Sequence, residues 1–164
     1  MDDLSRRSGG RKAKSVVFTA EQIATRVASL GREITAAYPG GDLLLLGLLK
    51  GSFIFLADLV RAVERPLQVD FLVASSYGSG TVSSGNVRLL YDPATDLAGK
   101  HIVVVEDIID SGRTLTRLVE LLRARHPASL AICTLLDKQI APEPPAELRF
   151  VGFHAPPAFL VGYG

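Results

Sequence analysis

Apolar positions in this chain follow two alternating spacings. Ile23, Val27, Leu30 and Ile34 recur every three or four residues, the stripe of a helix with one buried face. Ahead of them Thr19-Ala20-Glu21-Gln22 fits a capping box, in which Thr19 and Gln22 satisfy each other's backbone N–H groups. Pro39-Gly40-Gly41 should end that helix. The unbroken apolar run 43–49 predicts a strand, 53–63 a helix, and 67–74, after Pro66, a second strand. Residues 102–105 and 130–136 supply two more strands around a helix over about 114–125, where Leu115, Leu118 and Leu122 share a face. Strands apolar on both flanks and separated by helices predict an α/β fold: a twisted, mostly parallel sheet flanked by helices.

Composition narrows the picture. With 164 residues and 48% hydrophobic content, the chain fits one domain that buries about two thirds of its unfolded surface. Residues 1–14 carry Arg6, Arg7, Arg11, Lys12 and Lys14 among Ser and Gly, a composition that predicts a mobile basic tail ahead of a single domain at 15–164. The net charge of +1 offers no general attraction to nucleic acid or membrane. Run 43–49 is the longest apolar stretch, far below the roughly 20 residues a spanning helix needs. Cys133, in the apolar run 130–136, has no partner cysteine. The expectation is a cytoplasmic protein without disulfides. His101, His126 and His154 show no metal-ligand spacing.

Ligands of open parallel sheets bind beyond the carboxyl ends of the strands. Those ends carry Leu49-Lys50-Gly51-Ser52, Ser75-Ser76-Tyr77-Gly78, Glu106-Asp107 and Asp137-Lys138, so four polar clusters should meet on one edge. Residues 102–114, I-V-V-V-E-D-I-I-D-S-G-R-T, carry the most chemistry. Gly112 at a strand-to-helix turn, with Ser111 and Thr114 beside it, suits an anion at a helix start. An ordinary cap by Asp110 or Ser111 is the bland alternative. The Walker spacing is absent, which argues against nucleoside triphosphate hydrolysis. Glu106 and Asp107 at the strand tip could accept hydrogen bonds from a sugar diol or help hold Mg²⁺. Asp110, beyond Ile108 and Ile109, is a candidate general base. Together the order suggests a phosphorylated sugar.

The string V-E-D-I-I-D-S-G-R-T-L resembles the phosphoribosyl pyrophosphate signature of type I phosphoribosyltransferases, and E-D-I-I-D-S-G resembles their hypoxanthine/guanine branch. The resemblance extends over about 18–164, through Leu49-Lys50-Gly51, Ser76-Tyr77, Leu135-Leu136-Asp137-Lys138, Phe150-Val151-Gly152-Phe153 and Phe159-Leu160-Val161-Gly162-Tyr163. It implies a small hood and a flexible lid loop on the sheet. It also implies roles: ribose and Mg²⁺ at Glu106 and Asp107, a general base at Asp110, and phosphate and ribose held across Glu106, Asp107, Ile108, Ile109, Asp110, Ser111, Gly112, Arg113 and Thr114. Lys50 and Gly51 would bind pyrophosphate, in a loop that in this family can carry a non-proline cis peptide. Ser76 and Tyr77 would belong to the lid. Lys138 would donate to the purine 6-oxo group, Phe159 would stack on the base, and the Leu160 backbone would read its other edge.

The function so implied is transfer of 5-phosphoribosyl from phosphoribosyl pyrophosphate to hypoxanthine or guanine, giving IMP or GMP and pyrophosphate, by a homodimer or homotetramer. Family sheets usually continue past Val-Gly-Tyr-Gly to an Asp that helps organise a second metal and an Arg that contacts pyrophosphate. This sequence ends at Gly164, so the expectation is a domain lacking that segment, with base recognition firmer than pyrophosphate handling. A non-catalytic nucleotide or phosphoribosyl pyrophosphate sensor of the same fold is the alternative. The pyrimidine branch that also binds RNA resembles D-D-V-L-Y-T-G-R-T, with Tyr where this chain has Asp110, and Asp110 argues for purine chemistry.

Overall fold

A computed structural model describes residues 15–76, 87–140 and 144–163, with backbone alone at 75, 76, 87, 88 and 113. Helix α1 (Ala20–Ala37) begins with the expected capping box: Gln22 N–H donates to Thr19 Oγ1 at 3.2 Å and Thr19 N–H to Gln22 Oε1 at 2.8 Å. Strand β1 (Leu43–Leu48) leads into α2 (Phe53–Ala62), β2 (Gln68–Ser76) and β3 (Val87–Tyr91). Then follow β4 (His101–Ile109), α3 (Arg113–Arg123), β5 (Ser129–Asp137) and β6 (Leu148–His154). The sheet order is β3-β2-β1-β4-β5-β6, parallel throughout except for β3, which runs antiparallel to β2.

Every residue of β1 is buried because helices cover both faces of the sheet. Leu43 and Leu45 pack on one side with Leu30 and Ile34 of α1 and Phe55 and Leu59 of α2. Leu44, Leu46 and Leu48 pack on the other with Leu115, Leu118 and Leu122 of α3. Each such leucine contributes about 1.5–3 kcal/mol relative to exposure. Cys133 is fully buried in the first cluster, and burial pushes its thiol pKa up, so it behaves as a small apolar residue. No helix among the described residues is long and apolar enough to cross a membrane.

Three expectations change. Strand β4 runs four residues past Val105, so Glu106 and Asp107 lie within it rather than at its tip. Ladder pairing with β5 as far as Ile109↔Asp137 extends it across these acidic residues. Strands β3 and β6, not anticipated from apolar runs, form the two edges, where one neighbour suffices. Helix α3 starts at Arg113, one residue early.

Candidate active site

Parallel pairing carries the functional positions to one edge in fixed register. In β4 and β5, Ile109 stands opposite Asp137, so the next residues, Asp110 and Lys138, leave the sheet side by side. The Lys138 N–H donates to the Ile109 carbonyl at 3.1 Å, and its ammonium lies 3.4 Å from Asp110 Oδ2. Lys138 is mostly covered while Asp110 is exposed. In β1 and β4, Gly47 faces Val105, which brings the turn after β1 against the acid pair. A Cβ added to Gly51 would lie 2.3 Å from Asp107 Oδ2, so any side chain there must displace that carboxylate.

The turn itself is closed by Ser52, a residue with no role anticipated. Fully buried, its hydroxyl donates to the Leu48 carbonyl at 2.7 Å. The Leu49–Lys50 peptide between them is cis, and Lys50 is exposed.

Asp107 Oδ1 accepts the Ile108 N–H at 2.9 Å, and Glu106 Oε1 accepts the Asp107 N–H at 3.0 Å. Burial, reinforced by the hydrogen bond and charge of Asp107, pushes the Glu106 carboxyl up to about 9. Its stability effect has a definite sign. The unfolded chain releases this proton near 4.5 and the folded chain near 9. Between those values the folded state holds the extra proton, so stability falls as pH rises through the window. Glu106→Gln should therefore stabilise the chain more at pH 8 than at pH 5, by roughly 1–3 kcal/mol. Urea unfolding at both pH values, with a chelator present, checks this, and an equal gap at the two would contradict it.

Beyond Asp110, α3 starts without a side-chain cap: its N-cap position is Gly112, left-handed at φ 69°, and neither Asp110 nor Ser111 caps it. The ordinary-cap reading is thus not realised. Instead, Ser111, Gly112 and Thr114 line a cleft of about 310 Å³ together with Leu48, Leu49, Gly51, Ala74, Glu106, Ile108, Ile109, Asp110 and Leu115. The first N–H groups of a helix lack intrahelical acceptors and favour an anion there. The Arg113 backbone begins the helix.

Lys138, Phe159 and Leu160 are not among the residues that line this cleft. The Ala155 N–H donates to the Asp137 carbonyl at 2.8 Å and starts a segment in which Phe159 is exposed and Leu160 half-buried. Ser76 ends β2, while Tyr77 and the rest of the expected lid lie outside the described residues. Among the described residues no group of three or more His, Cys, Asp or Glu is placed to hold a metal ion alone.

A helix-flanked parallel sheet with an acid pair, a third acid and an uncapped helix start at its carboxyl edge is the frame of a phosphoribosyl-transferring protein. The chain belongs to the phosphoribosyl transferase domain family, whose model matches residues 16–164. It is 50% identical over 151 residues to the hypoxanthine phosphoribosyltransferase of Salmonella typhimurium, covering 91% of this chain and 85% of that protein. It is equally identical over 157 residues to the hypoxanthine-guanine phosphoribosyltransferase of Mycobacterium avium, covering 92% and 77%. The crystal structure of a hypoxanthine phosphoribosyltransferase from Staphylococcus aureus superposes with a TM-score of 0.87 at 39% identity, covering 92% of this chain and 82% of that one.

Proposed function

We propose that this chain is a hypoxanthine/guanine phosphoribosyltransferase of purine salvage. The observation that carries the reading is the meeting of Asp110 with the Lys138 ammonium at the mouth of a cleft walled by Ser111, Gly112 and Thr114. A proton acceptor, a donor for a carbonyl and an anion site then lie around one substrate-sized space. The relatives it resembles are named as enzymes rather than regulators.

In this reading Ser111 to Thr114 bind the 5′-phosphate at the helix start, aided by its dipole. Glu106 and Asp107 hold the ribose hydroxyls, Lys50 and Gly51 the pyrophosphate, Lys138 the 6-oxo group, and Phe159 and Leu160 the base. Asp110 accepts a proton from the purine imidazole as its nitrogen bonds to the ribose C1′ and the C1′–oxygen bond to pyrophosphate breaks.

The acid pair fits a magnesium ion, since two hard carboxylates plus substrate oxygens are its usual donors. Burial, with the hydrogen bond and charge of Asp107 added to it, disfavours the ionised form of Glu106, and a bound cation would offset that cost. Bound Mg²⁺ would neutralise charge on the departing pyrophosphate. Assembly as a cytoplasmic homodimer or homotetramer completes the proposal, supported by the exposed Phe53 and Ile54 at the start of α2.

A spectrophotometric assay of nucleotide formation from hypoxanthine, guanine and xanthine with phosphoribosyl pyrophosphate tests the reading. Activity with hypoxanthine or guanine that disappears when Mg²⁺ is chelated is expected, and no nucleotide from any base would sink it.

A further inference from the structure

The segment that carries Phe159 and Leu160 is anchored at both ends, and the anchors reach different parts of the site. At its start Ala155 is bonded to the end of β5, beside Lys138. At its end the Tyr163 hydroxyl donates to Asp58 Oδ2, and the Tyr163 ring packs against the core cluster shared by α1 and α2. Asp58 belongs to α2, whose first residue directly follows the Lys50-Gly51-Ser52 turn. Phe55, Leu56 and Leu59, buried on either side of Asp58 in sequence, fix that helix on the sheet. One contact, between residues 105 positions apart, therefore joins the base-side segment to the helix that issues from the pyrophosphate-side turn.

Two further observations mark the contact as more than incidental. Tyr163 has φ 61°, a left-handed conformation disfavoured for residues with a side chain, so its side-chain contacts must hold it there. Asp58 is also paired with Arg61, one turn on, which orients its carboxylate. Tyr163 lies beyond the last strand, so losing its anchor should free residues 155–163 without opening the sheet.

We infer that Tyr163 and Asp58 are positioning residues for the purine base: their contact holds residues 155–163 in place relative to the Lys50–Gly51 turn, so that base and pyrophosphate groups fit together. This rests on the transferase reading. Neither side chain touches the reacting atoms; both act through Phe159 and Leu160.

The test combines steady-state kinetics with amide hydrogen exchange on the full chain, for the wild type, Tyr163→Phe, Asp58→Ala, Asp58→Asn and the double variant Tyr163→Phe/Asp58→Ala. Tyr163→Phe and Asp58→Ala should each raise the KM for hypoxanthine roughly 5- to 20-fold, as expected for one partly exposed charge-assisted hydrogen bond. The KM for phosphoribosyl pyrophosphate and kcat should stay within about twofold, because binding of the base alone is weakened. The double variant should be no worse than either single one. Asp58→Asn, whose amide oxygen still accepts but without the charge, should fall between the wild type and Asp58→Ala. Exchange should rise across 155–163 in the first two variants and stay unchanged in β1. Equal rises in both KM values, additive effects in the double variant, or unchanged exchange across 155–163 would overturn the inference. A wild-type chain that makes no nucleotide would sink the transferase reading instead, leaving exchange to decide the positioning role.

Discussion

Asp110→Asn should lower kcat for nucleotide formation by roughly 10²-fold or more, the usual contribution of a positioned general base. Asparagine keeps the size of the side chain and an oxygen within reach of Lys138, which lies 3.4 Å from the present carboxylate. What it lacks is a site that accepts the proton released as the base nitrogen bonds to C1′. Binding of IMP involves no such transfer, so its Kd should change by no more than a few fold. The same group must return the proton in the reverse reaction, so pyrophosphorolysis of IMP should fall by a comparable factor. Rates at saturating substrates in both directions, with IMP affinity by calorimetry, separate these effects. An unchanged forward rate would remove Asp110 from proton transfer. A loss of rate matched by a loss of IMP affinity would make it a binding group.

The juxtaposition on which that expectation rests was only half legible in the sequence. Apolar spacing was enough to place α1, β1 and α2, because leucines buried on both faces of a strand and a one-sided helical stripe have few other ways to exclude water. It also set the functional clusters at strand ends, where apolar runs give way to polar residues. Register was not legible. Asp110 and Lys138 meet because β4 and β5 pair with His101 opposite Ser129 and keep that offset to Ile109 and Asp137. Nothing in the mostly apolar runs 102–105 and 130–136 distinguishes that offset from a shift by two. The extension of β4 through Glu106 and Asp107 was hidden for a related reason: carboxylates are poor strand formers, and only the ladder to β5 overrides them. Edge strand β6, L-R-F-V-G-F-H, buries only Phe150 and otherwise mixes half-buried and exposed positions, so it lacks the apolar signature of the interior strands. The Ser52 bond to Leu48 and the Tyr163 bond to Asp58 leave no sequence pattern, since each depends on how the chain turns back on itself.

The close approach of Gly51 to Asp107 implies the second large effect. Gly51→Ala should reduce kcat/KM for phosphoribosyl pyrophosphate by about 10²-fold, the scale on which an ångström of misplacement acts. The new methyl would lie 2.3 Å from Asp107 Oδ2, 2.7 Å from Cγ and 2.9 Å from Oδ1, so the whole carboxylate must move. Its freedom to do so is small: Oδ1 is fixed by the Ile108 N–H at 2.9 Å, and the backbone is tied into the β4 ladder. The turn cannot yield instead without straining the buried Ser52 bond to Leu48. Either movement separates the Lys50–Gly51 turn from the acid pair, whereas Lys138 and residues 155–163 are anchored to β5 and α2 and stay in place. The KM for hypoxanthine should thus change less than that for phosphoribosyl pyrophosphate. Overpacking of this kind costs about 1–3 kcal/mol, so the variant should remain folded and its kinetics measurable. Asp107→Ala placed in the Gly51→Ala background removes the clash, and if steric displacement is the cause, the second substitution should cost much less there than in the wild type. Equal costs in the two backgrounds would show that Gly51 acts independently of Asp107.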